Sequence, residues 1–280
     1  MKQITWLAGI ALAGLIACSS DEDPGTDDNS SGGNTSGGSS GELTSSSSGG
    51  SSGTTTSGSS GTTSGSSSGD ADQCSAARSE ALQEQTTVSS GAVSIATGTA
   101  GAEYLLYVDA SAGGSGPSAT QPRVYVDLAT GARVDVSDVD ARTSDAWDIA
   151  IKRTNAHTNG GVGGSGQAAA QVVAKAFADV TAADATALET EAFFDEECQL
   201  LKKVYADGQE DPYTFRSTLS DWYDYDTSGA SHGVAPKDHS YVVRGGKGAL
   251  YKVRFENYYG TPTGAEGETS GRLLIRVAPL

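Results

Sequence analysis

Apolar and charged positions alternate most clearly towards the end of the chain. The segment 250–258 has apolar side chains at every second position, with charged ones between them; the apolar ones are Tyr251, Val253 and Phe255. This is the period of a strand with one buried face. A glycine-rich stretch at 245–248 joins it to the apolar run at 241–244. The two segments therefore predict a β-hairpin.

Other runs are rich in β-branched and aromatic residues and are bounded by turn-forming residues. They predict strands at 104–108, 124–128, 147–151 and 272–277. The segment 73–85 predicts a short helix with its alanines and Leu82 on one side. The segment 167–180 stays open, because its alanines favour a helix while its larger apolar residues do not fix a period.

The first residues have the pattern of a bacterial lipoprotein signal. Lys2 precedes an apolar run that ends in Leu15, Ile16 and Ala17, and Cys18 follows. About a dozen apolar residues make a signal peptide but are too few to span a bilayer. We therefore expect residues 1–17 to be removed and Cys18 to carry the lipid. Because the next residue is serine rather than aspartate, the outer membrane or cell surface is the expected location.

Residues 18–72 consist almost entirely of serine, glycine, threonine and a few acids, and Leu43 is their one large apolar residue. Such a composition cannot offset the entropy of ordering, so it predicts a disordered tether. A glycosylated or adhesive stalk is the alternative. Residues 73–280 have the length of one domain.

Charge and cysteine content narrow the classes further. The 35 acidic and 18 basic side chains give a net charge of −17, which is a poor match for nucleic acid. With Cys18 lipidated, Cys74 and Cys198 remain, and two cysteines in an oxidising compartment usually pair. Two free thiols, or a zinc site without any C-x-x-C spacing, are the alternatives.

Two sequence motifs resemble those of enzymes but lack the structural context that each requires. The G-x-G-x-x-G at 161–166 does not directly follow a strand, as dinucleotide binding requires. The G-x-S-x-G at 229–233 is followed by a loop rather than by the helix of a nucleophile elbow. We therefore do not expect an enzyme.

The chain has three histidines, and all lie in predicted loops: His157, His232 and His239. Their spacing does not match a zinc motif. Each is either a solvated loop residue or, since histidine is the commonest metal ligand, a ligand of a metal or cofactor.

An ordered set of short segments resembles the HmuY family of bacterial haem-binding lipoproteins. The segments are WDIAIKR at 147–153, TNGG at 158–161, WYDYD at 222–226, SHG at 231–233, PK at 236–237, YVVRG at 241–245 and KVRF at 252–255, followed by Tyr258 and Tyr259. The resemblance covers roughly residues 124–277.

The resemblance implies an all-β fold, a single antiparallel two-layered domain with protruding strands that grip the ligand. It also implies a strand at 168–177, against the helix propensity of the alanines there. Family members hold haem between two axial side chains, and His232 matches one histidine position. The segment 194–221, where the second ligand would lie, has no histidine, and Met1 is the only methionine. His239, Tyr205 or Tyr213 are the candidate substitutes, since tyrosine also ligates haem iron.

The expected haem pocket contains Trp222, Tyr223 and Arg244. Aromatic faces stack on a porphyrin, although these same residues could belong to the core. Arg216, Lys237 and Arg244 could pair with the haem propionates. The sequence thus predicts a lipid-anchored protein that captures haem for uptake and passes it to an outer-membrane receptor. A surface lipoprotein without haem, acting as a scaffold or adhesion module, is the alternative.

Overall fold

The computed structural model describes residues 74–113, 120–205, 208–226 and 233–280, with backbone only for Gly113, Pro212 and Tyr213. The predicted signal peptide, Cys18, the tether and His232 lie outside these residues. Among the described residues no helix is both long and apolar enough to cross a membrane.

The described residues form fourteen strands and two short α-helices. The strands are β1 (Val93–Gly98), β2 (Tyr104–Asp109), β3 (Val124–Asp127), β4 (Ala132–Val134), β5 (Ile149–Lys152), β6 (Asn155–Thr158), β7 (Ala169–Val173), β8 (Lys202–Val204), β9 (Glu210–Phe215), β10 (Tyr223–Tyr225), β11 (Val234–Pro236), β12 (Ser240–Arg244), β13 (Leu250–Asn257) and β14 (Arg272–Pro279). The helices are α1 (Ser75–Ala81) and α2 (Asp138–Ala141), and single 3₁₀ turns lie at Ser111–Gly113, Phe177–Asp179, Ala182–Asp184 and Leu219–Asp221.

Two antiparallel sheets make up the layers of the fold. The large sheet has the order β1-β2-β14-β13-β12-β7, and the small sheet has the order β4-β3-β5-β6. One hydrophobic cluster takes side chains from both sheets, including Leu106 and Val253 from the large sheet and Val126 and Ile149 from the small one. The predicted all-β, two-layered antiparallel class is confirmed.

The predicted C-terminal hairpin is also present. Strand β12 pairs with β13, and Val243 lies opposite Tyr251. Along β13 buried and half-buried positions alternate, with Tyr251, Val253 and Phe255 on the buried face. The period read from the sequence therefore gives the correct face of this strand.

Three sequence expectations need correction. The helix predicted at 73–85 is confined to Ser75–Ala81. The strand implied at 168–177 ends at Val173, and Phe177 lies in a 3₁₀ turn that packs on the sheet. His157 lies in β6 rather than in a loop, and it is 3% exposed. All four residues of β6 are buried, so this strand shows no alternation of apolar and polar residues by which the sequence could reveal it.

The predicted disulfide is present. The sulfur atoms of Cys74 and Cys198 are bonded, and the two residues are 124 positions apart in sequence. In the chain-entropy model, closing a loop of that length is worth roughly 4 to 5 kcal/mol. The bond ties the start of α1 to the segment that leads into β8.

The carboxylate of Asp148 connects the two sheets. One oxygen accepts a hydrogen bond of 2.7 Å from the Leu128 N–H, next to β3 of the small sheet. The other accepts one of 2.8 Å from the Gly246 N–H, in the β12–β13 turn of the large sheet. Burial raises the pKa of Asp148, and these two backbone donors oppose that rise.

Asn159 completes this junction. Its side-chain nitrogen donates to the carbonyl oxygens of Ser144 and Trp147, each at 2.8 Å. Its side-chain oxygen accepts from the Gly166 N–H at 3.0 Å. The glycine-rich turn that resembled a dinucleotide motif is therefore a structural loop fastened to the small sheet.

A β-carbon at Gly246 should be destabilising. It would lie 2.5 Å from the Trp147 carbonyl oxygen and 2.9 Å from that of Asp145, so backbone would have to move. We expect Gly246→Ala to lower the free energy of unfolding by about 2 kcal/mol or more, measured by urea denaturation. Gly233→Ala is the control, because a β-carbon there meets no atom of the described residues within 4 Å. Equal stabilities of the two variants would contradict the close approach.

Candidate functional site

Two consecutive hairpins form the candidate site. Strands β8 and β9 pair with each other, and so do β10 and β11, apart from the two larger sheets. Residues 206–207, between β8 and β9 in sequence, and residues 227–232, between β10 and β11, lie outside the described residues. The resemblance predicts protruding strands that hold the ligand, and these hairpins are the strands that we assign to that prediction.

A buried carboxylate joins the two hairpins. Asp211 on β9 accepts hydrogen bonds from the hydroxyl of Tyr205 at 2.6 Å and from that of Tyr223 on β10 at 3.0 Å. The Thr214 hydroxyl lies 3.3 Å from the Tyr223 hydroxyl. Asp211 is 4% exposed, so these bonds are shielded from water and hold the hairpins in one arrangement.

Lys203 adds a cation to the same junction. Its ammonium lies 3.3 Å from the centroid of the Tyr223 ring and donates to the Tyr223 carbonyl oxygen at 3.2 Å. Lys203 is 5% exposed, and burial lowers its pKa to about 8. The ammonium, the ring and the Asp211 carboxylate therefore form one buried polar cluster.

The candidate ligand Tyr205 is committed to this cluster. Its hydroxyl bonds to Asp211, and burial together with that bond raises its pKa well above the usual range. In this arrangement Tyr205 fastens the hairpin as a protonated phenol. Tyr213 lies on β9, and its side chain is outside the described part of the chain.

His239 comes directly before β12 and is half-buried. Its Nε2 lies 2.8 Å from the hydroxyl of Tyr241, and burial is the main cause of a lowered pKa. Tyr241 is paired across the sheet with Val172, a residue that lines the cleft described below. His239 is therefore the candidate ligand whose imidazole is described and only partly enclosed.

His157, by contrast, is enclosed by rings. The centroids of Trp147, Phe193 and Phe215 lie 5.6, 5.2 and 5.6 Å from its own. Within the described residues its Nδ1 has no hydrogen-bond partner. Burial, followed by the charge of Arg123, holds its pKa well below the usual range. His157 is thus a neutral core residue and does not contact any candidate ligand-binding surface.

Trp222 and Tyr223, expected in the pocket, are packed inside the main hydrophobic cluster. Trp222 is 1% exposed, stacks on Phe255 with a centroid distance of 4.9 Å, and donates to the Thr154 carbonyl. Arg244 is directed elsewhere, since its Nε donates to the Gln167 carbonyl at 2.7 Å. The structure therefore brings Tyr205 and Tyr223 together and places Arg244 at the β7 side of the large sheet.

A cleft of about 500 Å³ opens beside the base of the hairpins. Its lining residues come from β7, from the segment 189–192 and from the connection between β9 and β10: Val172, Glu189, Thr190, Glu191, Ala192, Arg216, Ser217, Thr218 and Asp221. Small-molecule sites usually enclose roughly 300–1,000 Å³. The size suits a small organic ligand, and most of the lining residues carry polar or charged side chains.

Glu191 is the buried acid of this cleft. One of its oxygens accepts hydrogen bonds from the Thr158 N–H at 2.8 Å and from the Thr158 hydroxyl at 2.9 Å. Burial nevertheless raises its pKa to about 7. Sequence reasoning missed Glu191, Lys203 and Asp211, because a charged residue among polar neighbours gives no sign that it is buried.

The comparisons with known proteins agree with the fold. A family model described as HmuY protein matches residues 119–273, more than half of the chain, and the chain belongs to this family. No curated protein sequence is significantly similar.

Solved structures show the same kind of likeness at low identity. A protein of Bacteroides vulgatus ATCC 8482, provisionally described as HmuY-like and heme-binding, is 20% identical, covering 65% of this chain and 94% of its own, with a TM-score of 0.42. The apo HmuY analogue of Tannerella forsythia is 17% identical, covering 63% and 95%, with a TM-score of 0.38. A provisionally assigned lipoprotein of Bacteroides fragilis NCTC 9343 is 17% identical, covering 65% and 93%, with a TM-score of 0.39.

The bond between the hairpins should be measurable in Tyr223. We expect Tyr223→Phe to lower the free energy of unfolding by about 1–3 kcal/mol, because Asp211 loses a buried donor. Urea denaturation measures this loss. Tyr251→Phe is the control, because Tyr251 is also buried and its hydroxyl forms no hydrogen bond to the described residues. The same loss in both variants would contradict a specific role for the Tyr223 hydroxyl.

The raised pKa of Glu191 predicts a pH effect of known sign. Between pH 4.5 and 7 the folded protein holds a proton on Glu191 that the unfolded chain has released, so wild-type stability falls as pH rises through this window. Glu191→Gln removes this contribution but keeps an oxygen for Thr158. The variant should therefore gain up to about 3 kcal/mol relative to wild type between pH 4 and pH 8. Urea denaturation at both pH values measures the difference, and a constant difference would contradict the prediction.

Proposed function

We propose that this protein captures haem outside the cytoplasm, anchored to the outer membrane through lipid on Cys18. The observation that carries the proposal is the HmuY family match over residues 119–273, which includes β3, both hairpins and the cleft. Binding and transfer of the ligand would be its role, so we propose no chemical reaction.

The described residues fit such a ligand in part. They provide a cleft of about 500 Å³ and, before β12, the half-buried imidazole of His239. The two hairpins hold each other in place, because Asp211 and Lys203 of the β8–β9 hairpin both form hydrogen bonds with Tyr223 of the β10–β11 hairpin. A preorganised frame lowers the entropy lost on binding.

His232 is our first candidate for an axial ligand, and His239 is the second. Haem, when bound, supplies an iron that accepts axial nitrogen or oxygen ligands. His232 lies between β10 and β11 in sequence, outside the described residues, and is the histidine that matches the family position. His239 would have to give up its bond to the Tyr241 hydroxyl. Tyr205 would have to leave Asp211 and ranks below both, with Tyr213.

The anchor and the tether define how the domain would work. Lipid on Cys18 would hold the chain at the membrane, and residues 18–72 would let the domain reach away from it. A Gly/Ser-rich chain of this length has a root-mean-square span of about 40 Å. Haem would then be passed to an outer-membrane receptor.

A haem titration of the purified protein tests the proposal. Visible absorption should show a saturable, sharpened haem band, and His232→Ala should shift or abolish it. Ser231→Ala is the matched control, because it alters the same turn without removing a nitrogen ligand, and it should bind as wild type. His239→Ala should change the spectrum only if this residue supplies the second ligand.

Absence of saturable haem binding in the wild type would overturn the proposal. The protein would then be a lipoprotein of the same fold that acts as a scaffold or adhesion module. Intact binding in His232→Ala would instead remove His232 and leave His239, Tyr205 and Tyr213 as the axial candidates.

A further inference from the structure

Three basic side chains were candidates for pairing with ligand carboxylates, and the structure separates them. Lys237 is already paired with Asp221 at 2.6 Å. Arg244 donates to the Gln167 carbonyl. Arg216 is exposed, and no side-chain hydrogen bond or ion pair joins it to any other described residue. Arg216 therefore has a guanidinium available for a ligand.

Arg216 also lies where a ligand in the cleft could reach it. It directly follows β9, and it lines the cleft together with the hydroxyl-bearing residues Thr218 and Thr190. The hydroxyl of Ser217, also in the lining, donates instead to the Ala156 carbonyl oxygen. A guanidinium binds a carboxylate through two parallel hydrogen bonds, and neighbouring hydroxyls can donate to the same oxygens. These groups together form a set of donors for an organic acid.

Three acidic residues of the cleft could offset the positive charge of Arg216, and they differ in the partners that they already have. Asp221 is paired with Lys237, and Glu191 is 5% exposed with one oxygen turned to Thr158. Glu189 is the exposed carboxylate of the cleft lining that forms no ion pair with any described side chain. Replacing Glu189 should therefore strengthen the attraction of the cleft for an anion.

We propose that this cleft is the subsite for the carboxylates of the bound tetrapyrrole, with Arg216 as the residue that selects the acid over its ester. The inference rests on the proposed haem function and adds the orientation of the ligand. The carboxylate edge of the ligand would lie at Arg216, in the connection between β9 and β10.

The test compares acids with esters that lack the charge. Protoporphyrin IX and its dimethyl ester, both free of iron, are titrated into the full protein and followed by quenching of tryptophan fluorescence. Haem and its dimethyl ester form a second pair, followed by visible absorption. We expect wild type to bind each acid about tenfold or more tightly than its ester.

Arg216→Gln should reduce this preference to near one while leaving the affinity for the ester unchanged. Glu189→Gln should increase the preference. Arg244→Gln is the matched control and should retain the wild-type ratio, because Arg244 is directed to Gln167. Thermal unfolding of each variant checks that the fold is intact, as is expected for the exposed Arg216.

The outcomes separate this inference from the function on which it rests. Saturable haem binding with the same acid preference in Arg216→Gln and wild type would overturn the subsite and leave haem capture standing. Equal binding of acid and ester by wild type would do the same. Failure of all four compounds to bind would overturn both.

Discussion

The fold depends on the buried carboxylate of Asp148, which holds the two sheets in one relative position. Each of its oxygens accepts a backbone N–H from a different sheet, Leu128 from the small one and Gly246 from the large one. A β-carbon at Gly245 would lie 2.4 Å from one of these oxygens, so glycine is needed for the β12–β13 turn to approach. Burying this carboxylate without hydrogen-bond donors would be costly, so its burial requires that both sheets supply their backbone N–H groups.

Many of the short motifs that resemble the HmuY family meet at this junction. Trp147 and Asp148, Asn159 and the glycines of the β12–β13 turn contact one another through the bonds described above. They maintain the scaffold and do not line the cleft. The residues proposed to meet the ligand come instead from the two hairpins, from the connection between β9 and β10, from the segment 189–190 and from His239 before β12. The same scaffold can therefore carry different ligand-contacting residues.

Sequence patterns predicted the fold better than the site. The alternation along β13 follows from burial on one face, which a period of two reveals directly. His157 was assigned to a loop because all residues of β6 are buried and show no alternation. Trp222 and Tyr223 were expected beside the ligand, but aromatic composition does not distinguish a pocket from a core. Lys203 and Asp211 are buried because the β8–β9 hairpin packs against Tyr223 of the next hairpin, and no period within either segment indicates such a contact.

The hairpins and the cleft are the proposed ligand site, whereas the Asp148 junction only supports the fold. Hydrogen–deuterium exchange of the full protein, with and without saturating haem, tests this division most directly. We predict that haem slows exchange in β8–β11 and in the connection at 216–221, and leaves the β12–β13 turn unchanged. Protection confined to the junction or to β1–β4, or no change anywhere, would contradict the account.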